Sequence, residues 1–164
     1  MTLQPKTLHQ LSEQVGERLL EKHFWLATAE SCTGGWIAQT ITDIAGSSQW
    51  FDRGFVTYSN EAKQDMLAVS AQTLSSYGAV SEQTVIEMVQ GALDNSRADI
   101  VVAVSGIAGP SGGSKEKPVG LVWHAWALRG QQAVTQVEQY LGNRFEIRQQ
   151  TVETALKGIL RLLS

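Results

Sequence analysis

Cysteine is all but missing: Cys32 is the only one in 164 residues, so the chain cannot form an internal disulfide or a thiolate-based zinc site. Histidine is nearly as scarce. His9, His23 and His124 are scattered along the chain, and neither a metal nor a cofactor is expected. Charge is thin as well, at 18% of residues, and the net charge of −3 comes with no run of lysine or arginine. That excludes the electrostatic footprint of a protein that binds nucleic acid or anionic lipid, so a small-molecule partner is expected. No apolar run approaches the ~20 residues of a membrane span, and the stretch from Met1 to Gln10 is polar, unlike a secretory signal. A cytoplasmic location follows as the expectation.

What is present is apolar and regularly spaced. Hydrophobic residues make up 43%, which rules out disorder, and the length suits one domain spanning residues 1–164. Leu8, Leu11, Val15 and Leu19 recur at helical spacing after a Thr7/Gln10 capping box, predicting a first helix that ends near His23. The short apolar run 24–29 is a strand, and Glu30-Ser31-Cys32-Thr33-Gly34-Gly35 marks its junction with a helix bearing Trp36, Ile37, Ile41 and Ile44. Gly46 is placed to end that helix.

A second strand is predicted over 54–58, and Ser59 or Asn60 can cap the helix that follows. A short helix over 71–77 stops at Gly78, and Ser81 caps a longer one through Leu93. Ile100, Val101, Val102 and Val104 form a continuous β-branched run, expected of a central strand covered on both faces. Segments 119–128 and 132–140 around Arg129-Gly130 read as a hairpin, and Asn143 with Glu146 caps a last helix. The pattern predicts a three-layer α/β/α sandwich on a mixed, mainly parallel sheet with a C-terminal antiparallel hairpin. Ligands in such sheets bind beyond the carboxyl ends of the parallel strands, where Ser31, Tyr58 and Ser105 fall.

Ser31 then stands where a helix N-terminus would offer the amides of Cys32, Thr33 and Gly34 to an oxyanion or phosphate, although Ser31 or Thr33 could simply cap that helix. Gly34 and Gly35 are costly in a first helical turn, roughly 0.5–1 kcal/mol each relative to alanine, and close approach of a ligand or strand would account for them. A nucleophilic serine needs a base, and no histidine is suitably placed. Lys63, in the first turn of its helix and leaning back toward Tyr58, is the candidate; a solvated surface lysine is the alternative. Both the helix terminus and burial would lower its pKa from about 10.4, and reaching ~7.5 would take about 4 kcal/mol.

The segment from Ser105-Gly106 to Lys115 has no P-loop spacing and no dinucleotide fingerprint. It is either a backbone cradle for a sugar or phosphate, with Gly106 in it, or an ordinary flexible loop. Cys32 lacks a base, and the tryptophans Trp36, Trp50, Trp123 and Trp126 are mostly expected in packing. The hairpin's edge strand and the tryptophans together point to a homo-oligomer.

Taken together, Ala29-Glu30-Ser31-Cys32-Thr33-Gly34-Gly35, Tyr58-Ser59-Asn60-Glu61-Ala62-Lys63, Gly78-Ala79-Val80-Ser81, Ser105-Gly106-Ile107-Ala108-Gly109-Pro110 and Lys117-Pro118-Val119-Gly120 closely resemble the CinA C-terminal domain family. The resemblance runs in order from about Leu8 to Leu163. It does not extend to the N-terminal domain of full-length CinA proteins, whose pyrophosphatase activity is not carried over. It implies hydrolysis of the carboxamide of nicotinamide mononucleotide to nicotinate mononucleotide and ammonia. It also implies the pairing that spacing left open, Ser31 with Lys63 and Tyr58 close by. Thr33, Ser48 and Ser105 are implied near the reacting group, and Arg144 as the cation for the nucleotide phosphate. A binding module without chemistry, or an amidase for another pyridine nucleotide, is the competing expectation.

Overall fold

A computed structural model describes residues 6–164, so the polar stretch read from Met1 lies outside the described residues up to position 5. Helix α1, Leu8–Lys22, begins at a capping box in which Thr7 accepts from the Gln10 amide and the Gln10 side chain returns the bond. It buries Leu11, Val15 and Leu19. Strand β1, Leu26–Glu30, is buried throughout and leads to α2, Trp36–Thr42. A 3-10 turn, Ser47–Gln49, enters β2, Phe51–Val56. Helices α3, Asn60–Leu67, α4, Ala71–Tyr77, and α5, Glu82–Asp94, follow, each capped by a serine: Ser59, Ser70 and Ser81. Strands β3, Ile100–Gly106, β4, Leu121–Leu128, and β5, Val134–Gln139, precede α6, Arg144–Leu163, which opens on a second capping box made by Asn143 and Glu146.

The sheet order is β2-β1-β3-β4-β5. The first three strands are parallel, and β4 and β5 form the antiparallel hairpin. Strand β3 supplies both cores by simple alternation. Ile100, Val102 and Val104 face the layer of α1, α2 and α6, whereas Val101 and Ala103 face the layer of α5. The predicted α/β/α sandwich on a mixed sheet is therefore the observed one. Trp50 and Trp126 are core residues, each seated where a glycine lets it in: Gly16 beneath Trp50 and Gly158 beneath Trp126. Among the described residues no helix is long and apolar enough to cross a membrane.

Three boundaries differ from expectation. Strand β2 ends at Val56 because it pairs with β1 only as far as Glu30, which leaves Tyr58 in a loop. Helix α2 starts five residues after Ser31, because Gly34 (φ 60°) and Gly35 (φ 101°) hold an intervening turn in the left-handed region. The two glycines thus answer a backbone requirement rather than the approach of a ligand. Gly46 is left-handed as expected (φ 86°), but it opens the 3-10 turn, and α2 has already ended at Thr42.

Candidate active site

The loops after β1, β2 and β3 enclose a cleft of about 250 Å³. Its floor is Ser31, Cys32 and Lys63, and its walls come from Tyr58, Asn60, Ser105, Gly106 and Arg144. Ala79 and Val80, from the segment between α4 and α5, close one side. The cleft is lined by the Arg144 guanidinium and no carboxylate, which suits an anionic ligand.

Ser31 is fixed by the sheet: its amide donates to the Val104 carbonyl of β3 at 3.1 Å, continuing the β1–β3 ladder one residue beyond β1. Lys63, only 1% exposed, reaches it from the first turn of α3 with Nζ 2.9 Å from Ser31 Oγ. The same nitrogen donates to the carbonyls of Thr57 at 2.9 Å and Tyr58 at 3.1 Å. Burial lowers the Lys63 pKa from the usual lysine range. A neutral amine has two N–H bonds; with both on the carbonyls, its lone pair is left on the Ser31 hydroxyl. The solvated-surface alternative for Lys63 is thereby excluded.

Tyr58 lies close to Ser31 and Lys63, in the lining of the same cleft. The residue is 60% exposed, and its hydroxyl accepts from Arg144 Nη2 at 3.2 Å, not from Lys63. What it gives the serine and lysine is its backbone carbonyl, which also lies 3.4 Å from Ser31 Oγ. Arg144 spans the mouth of the cleft, donating through Nη1 to the Gly109 carbonyl at 2.8 Å.

Ser105 and Gly106 line the cleft, so the start of the glycine-rich segment does belong to the site. The Thr33 side chain does not reach into it: its hydroxyl donates to Glu30 Oε1 at 2.6 Å. Gly34 and Gly35 shape that turn and do not line the cleft. Ser48 is exposed in the 3-10 turn before β2, at the opposite end of the strand, and is not brought to the site.

Two residues that sequence reasoning missed hold the turn 31–35. Glu30 is buried and accepts from the amides of Ile37 at 2.8 Å and Ala38 at 3.1 Å, spending the N-terminal donors of α2 on the protein's own carboxylate. Burial raises its pKa, against the donors that favour the charged form. The signal was a lone carboxylate closing an otherwise uncharged, buried strand. Arg148 of α6 donates to the carbonyls of Cys32 and Thr33, both at 3.0 Å, across more than a hundred residues of sequence. The expected anion site at the α2 terminus therefore shrinks. With Gly34 N–H taken by the Ser31 carbonyl, the amides of Cys32 and Thr33 remain of the three.

Burial pushes the Cys32 thiol up to about 12, with the Glu30 charge adding to it, so at neutral pH the thiol is protonated and not a nucleophile. His124 is buried in β4, stacked on Trp126, as a packing residue.

The model of the CinA C-terminal domain matches residues 8–163. The nicotinamide-nucleotide amidohydrolase PncC of Escherichia coli (strain K12) is 57% identical over 152 residues, covering 93% of this chain and 92% of that one. PncC of Pseudomonas putida is 48% identical over 93% of this chain and 94% of its own. The crystal structure of the competence/damage inducible protein CihA from Agrobacterium tumefaciens superimposes with a TM-score of 0.95 at 48% identity, covering 100% of both chains.

Proposed function

This chain belongs to the CinA C-terminal domain family, and from that premise we propose that it hydrolyses the carboxamide of nicotinamide mononucleotide, releasing ammonia and nicotinate mononucleotide. The relatives named for that reaction match it over nearly their whole length. What supports a serine–lysine mechanism is one contact: a buried amine 2.9 Å from an alcohol, its other partners being two backbone carbonyls.

In this mechanism neutral Lys63 takes the proton of Ser31 as Oγ bonds to the carboxamide carbon, and the carbonyl oxygen becomes an oxyanion. The amides of Cys32 and Thr33 are the donors available to it. Collapse breaks the C–N bond, and the leaving nitrogen takes the proton from Lys63 and departs as ammonia. A water molecule then adds to the Ser31 ester, giving up a proton to Lys63, which returns it to Oγ as the carboxylic acid leaves and ionises to solvent. Tyr58 takes no part in this proton path, since its hydroxyl is at Arg144. In this reading Arg144 holds the phosphate, supported by its place in the cleft lining beside Gly109.

The test is ammonia release from the mononucleotide, the riboside and free nicotinamide by the wild-type protein and Ser31→Ala. Turnover of the mononucleotide, abolished in the variant, is the expected result. Binding without release would leave a nucleotide-binding module, and wild-type turnover in Ser31→Ala would end the covalent route. The same reading carries a cytoplasmic location and self-association through the outward-facing β5 edge, where Val134 and Val137 are exposed. Sedimentation of the purified chain checks the latter.

A further inference from the structure

Arg148 lies outside the cleft lining, yet its guanidinium grips the backbone of the turn that carries the nucleophile. Nε donates to the Cys32 carbonyl and Nη2 to the Thr33 carbonyl, each at 3.0 Å. A trans peptide is planar, with its C=O and N–H pointing in opposite directions. Holding the Cys32 carbonyl toward Arg148 therefore turns the Thr33 N–H away from it, and holding the Thr33 carbonyl turns away the Gly34 N–H, which closes the turn on the Ser31 carbonyl at 3.1 Å.

The clamp is itself fixed. The guanidinium lies 5.4 Å from the Trp36 ring centroid, and it follows Arg144 by one helical turn of α6. On the far side of the turn, Glu30 holds the Thr33 hydroxyl. Left-handed Gly34 and Gly35 give the turn a shape that nothing else in the local sequence enforces.

We infer that Arg148 is a positioning residue for the amide hydrolysis: by fixing the Cys32–Thr33 peptide plane it aims the Thr33 N–H as an oxyanion donor beside Ser31. The inference rests on the serine–lysine reading. A fixed donor acts on the charge that develops in the transition state, so its loss lowers kcat and leaves substrate binding alone. A cation on a carbonyl also polarises that peptide, strengthening its N–H as a donor.

The experiment measures kcat and KM for nicotinamide mononucleotide in wild type, Arg148→Ala, Arg148→Lys and Ser31→Ala, with thermal unfolding of each. Arg148→Ala is expected to lose about 100-fold in kcat, the scale of one oxyanion donor, with KM within about twofold. Millimolar guanidinium should restore part of that loss, whereas ammonium should not. Arg148→Lys, which can reach only one carbonyl at a time, should fall between. If Arg148→Ala unfolds, Arg148→Lys with the same kcat and KM comparison decides. Wild-type kcat in a folded Arg148 variant, or a loss expressed in KM, overturns the inference while a dead Ser31→Ala keeps the mechanism. An active Ser31→Ala overturns the mechanism itself.

Discussion

Arg144 and Tyr58 meet across the mouth of the cleft, guanidinium Nη2 3.2 Å from the phenol oxygen, although 86 residues separate them. The contact holds the tyrosine hydroxyl on the guanidinium, while the hydrogen bonds of Lys63 go to Ser31 Oγ and two backbone carbonyls. Tyr58→Phe is therefore expected to keep kcat within a few-fold of wild type and to raise KM, in steady-state ammonia release. A loss of two orders of magnitude in kcat would instead make the hydroxyl a proton relay.

Arg144 lines the cleft beside Tyr58 and Gly109, and the proposed function gives it the substrate phosphate. Arg144→Ala is expected to raise KM for the mononucleotide by roughly 10- to 100-fold, the loss of one or two charge-assisted hydrogen bonds, and to leave the riboside unchanged. Equal effects on both substrates would remove Arg144 from phosphate recognition.

Lys63 must be neutral to accept a proton, and burial holds its pKa below the lysine range. The protonated form dominates below that pKa, so kcat/KM should rise with pH along a single-proton limb and level off above it, at a lower pH than an ordinary lysine would set. Lys63→Arg, a side chain that never gives up its proton, should lose at least about 1,000-fold in kcat in a folded protein. A profile with no such rising limb anywhere in the pH range over which the protein stays folded would argue against a lysine base.

Gly91 of α5 packs directly on α3, where a Cβ would collide with the carbonyl of Leu67. Gly91→Ala should therefore cost roughly 1–3 kcal/mol, read from urea unfolding, and displace the helix that carries Lys63. Turnover should fall alongside stability. Unchanged stability would mean that α3 can shift without strain.

His124 is buried, and desolvation lowers its pKa from 6.5 to about 4. Between those values the unfolded chain binds a proton that the folded chain does not, so stability falls as the pH drops from 6.5 toward 4. The shift corresponds to about 3 kcal/mol, and His124→Gln should flatten this part of the stability profile measured by denaturant titration.

The starts of α1, α3, α5 and α6 were legible because each is written locally: Thr7 with Gln10, Ser59, Ser81, and Asn143 with Glu146 are caps within four residues of what they cap, whereas α2 has no side-chain cap and starts later than expected. The β-branched run at Ile100–Val104 likewise announced a doubly covered strand. The Ser31–Lys63 contact was legible only as a candidate, since a lysine in a first helical turn is ordinarily solvated. Arg148 was invisible because its partners are two carbonyls, which carry no residue identity, 115 and 116 positions away. Tyr58 lines the cleft and turns its backbone carbonyl to Lys63, and Thr33 turns its hydroxyl to Glu30; neither contact has a sequence signal, because backbone and side chain leave a position in different directions.

The bond from the Ser31 amide to Val104 ties the reacting alcohol to the middle of the sheet. Local fluctuations that let ligands in and out can involve the segments carrying Tyr58, Ala79 and Gly109 without loosening that tie. Hydrogen exchange at the Ser31 amide is accordingly expected to proceed only through near-global opening, leaving the nucleophile among the last positions in the chain to take up deuterium.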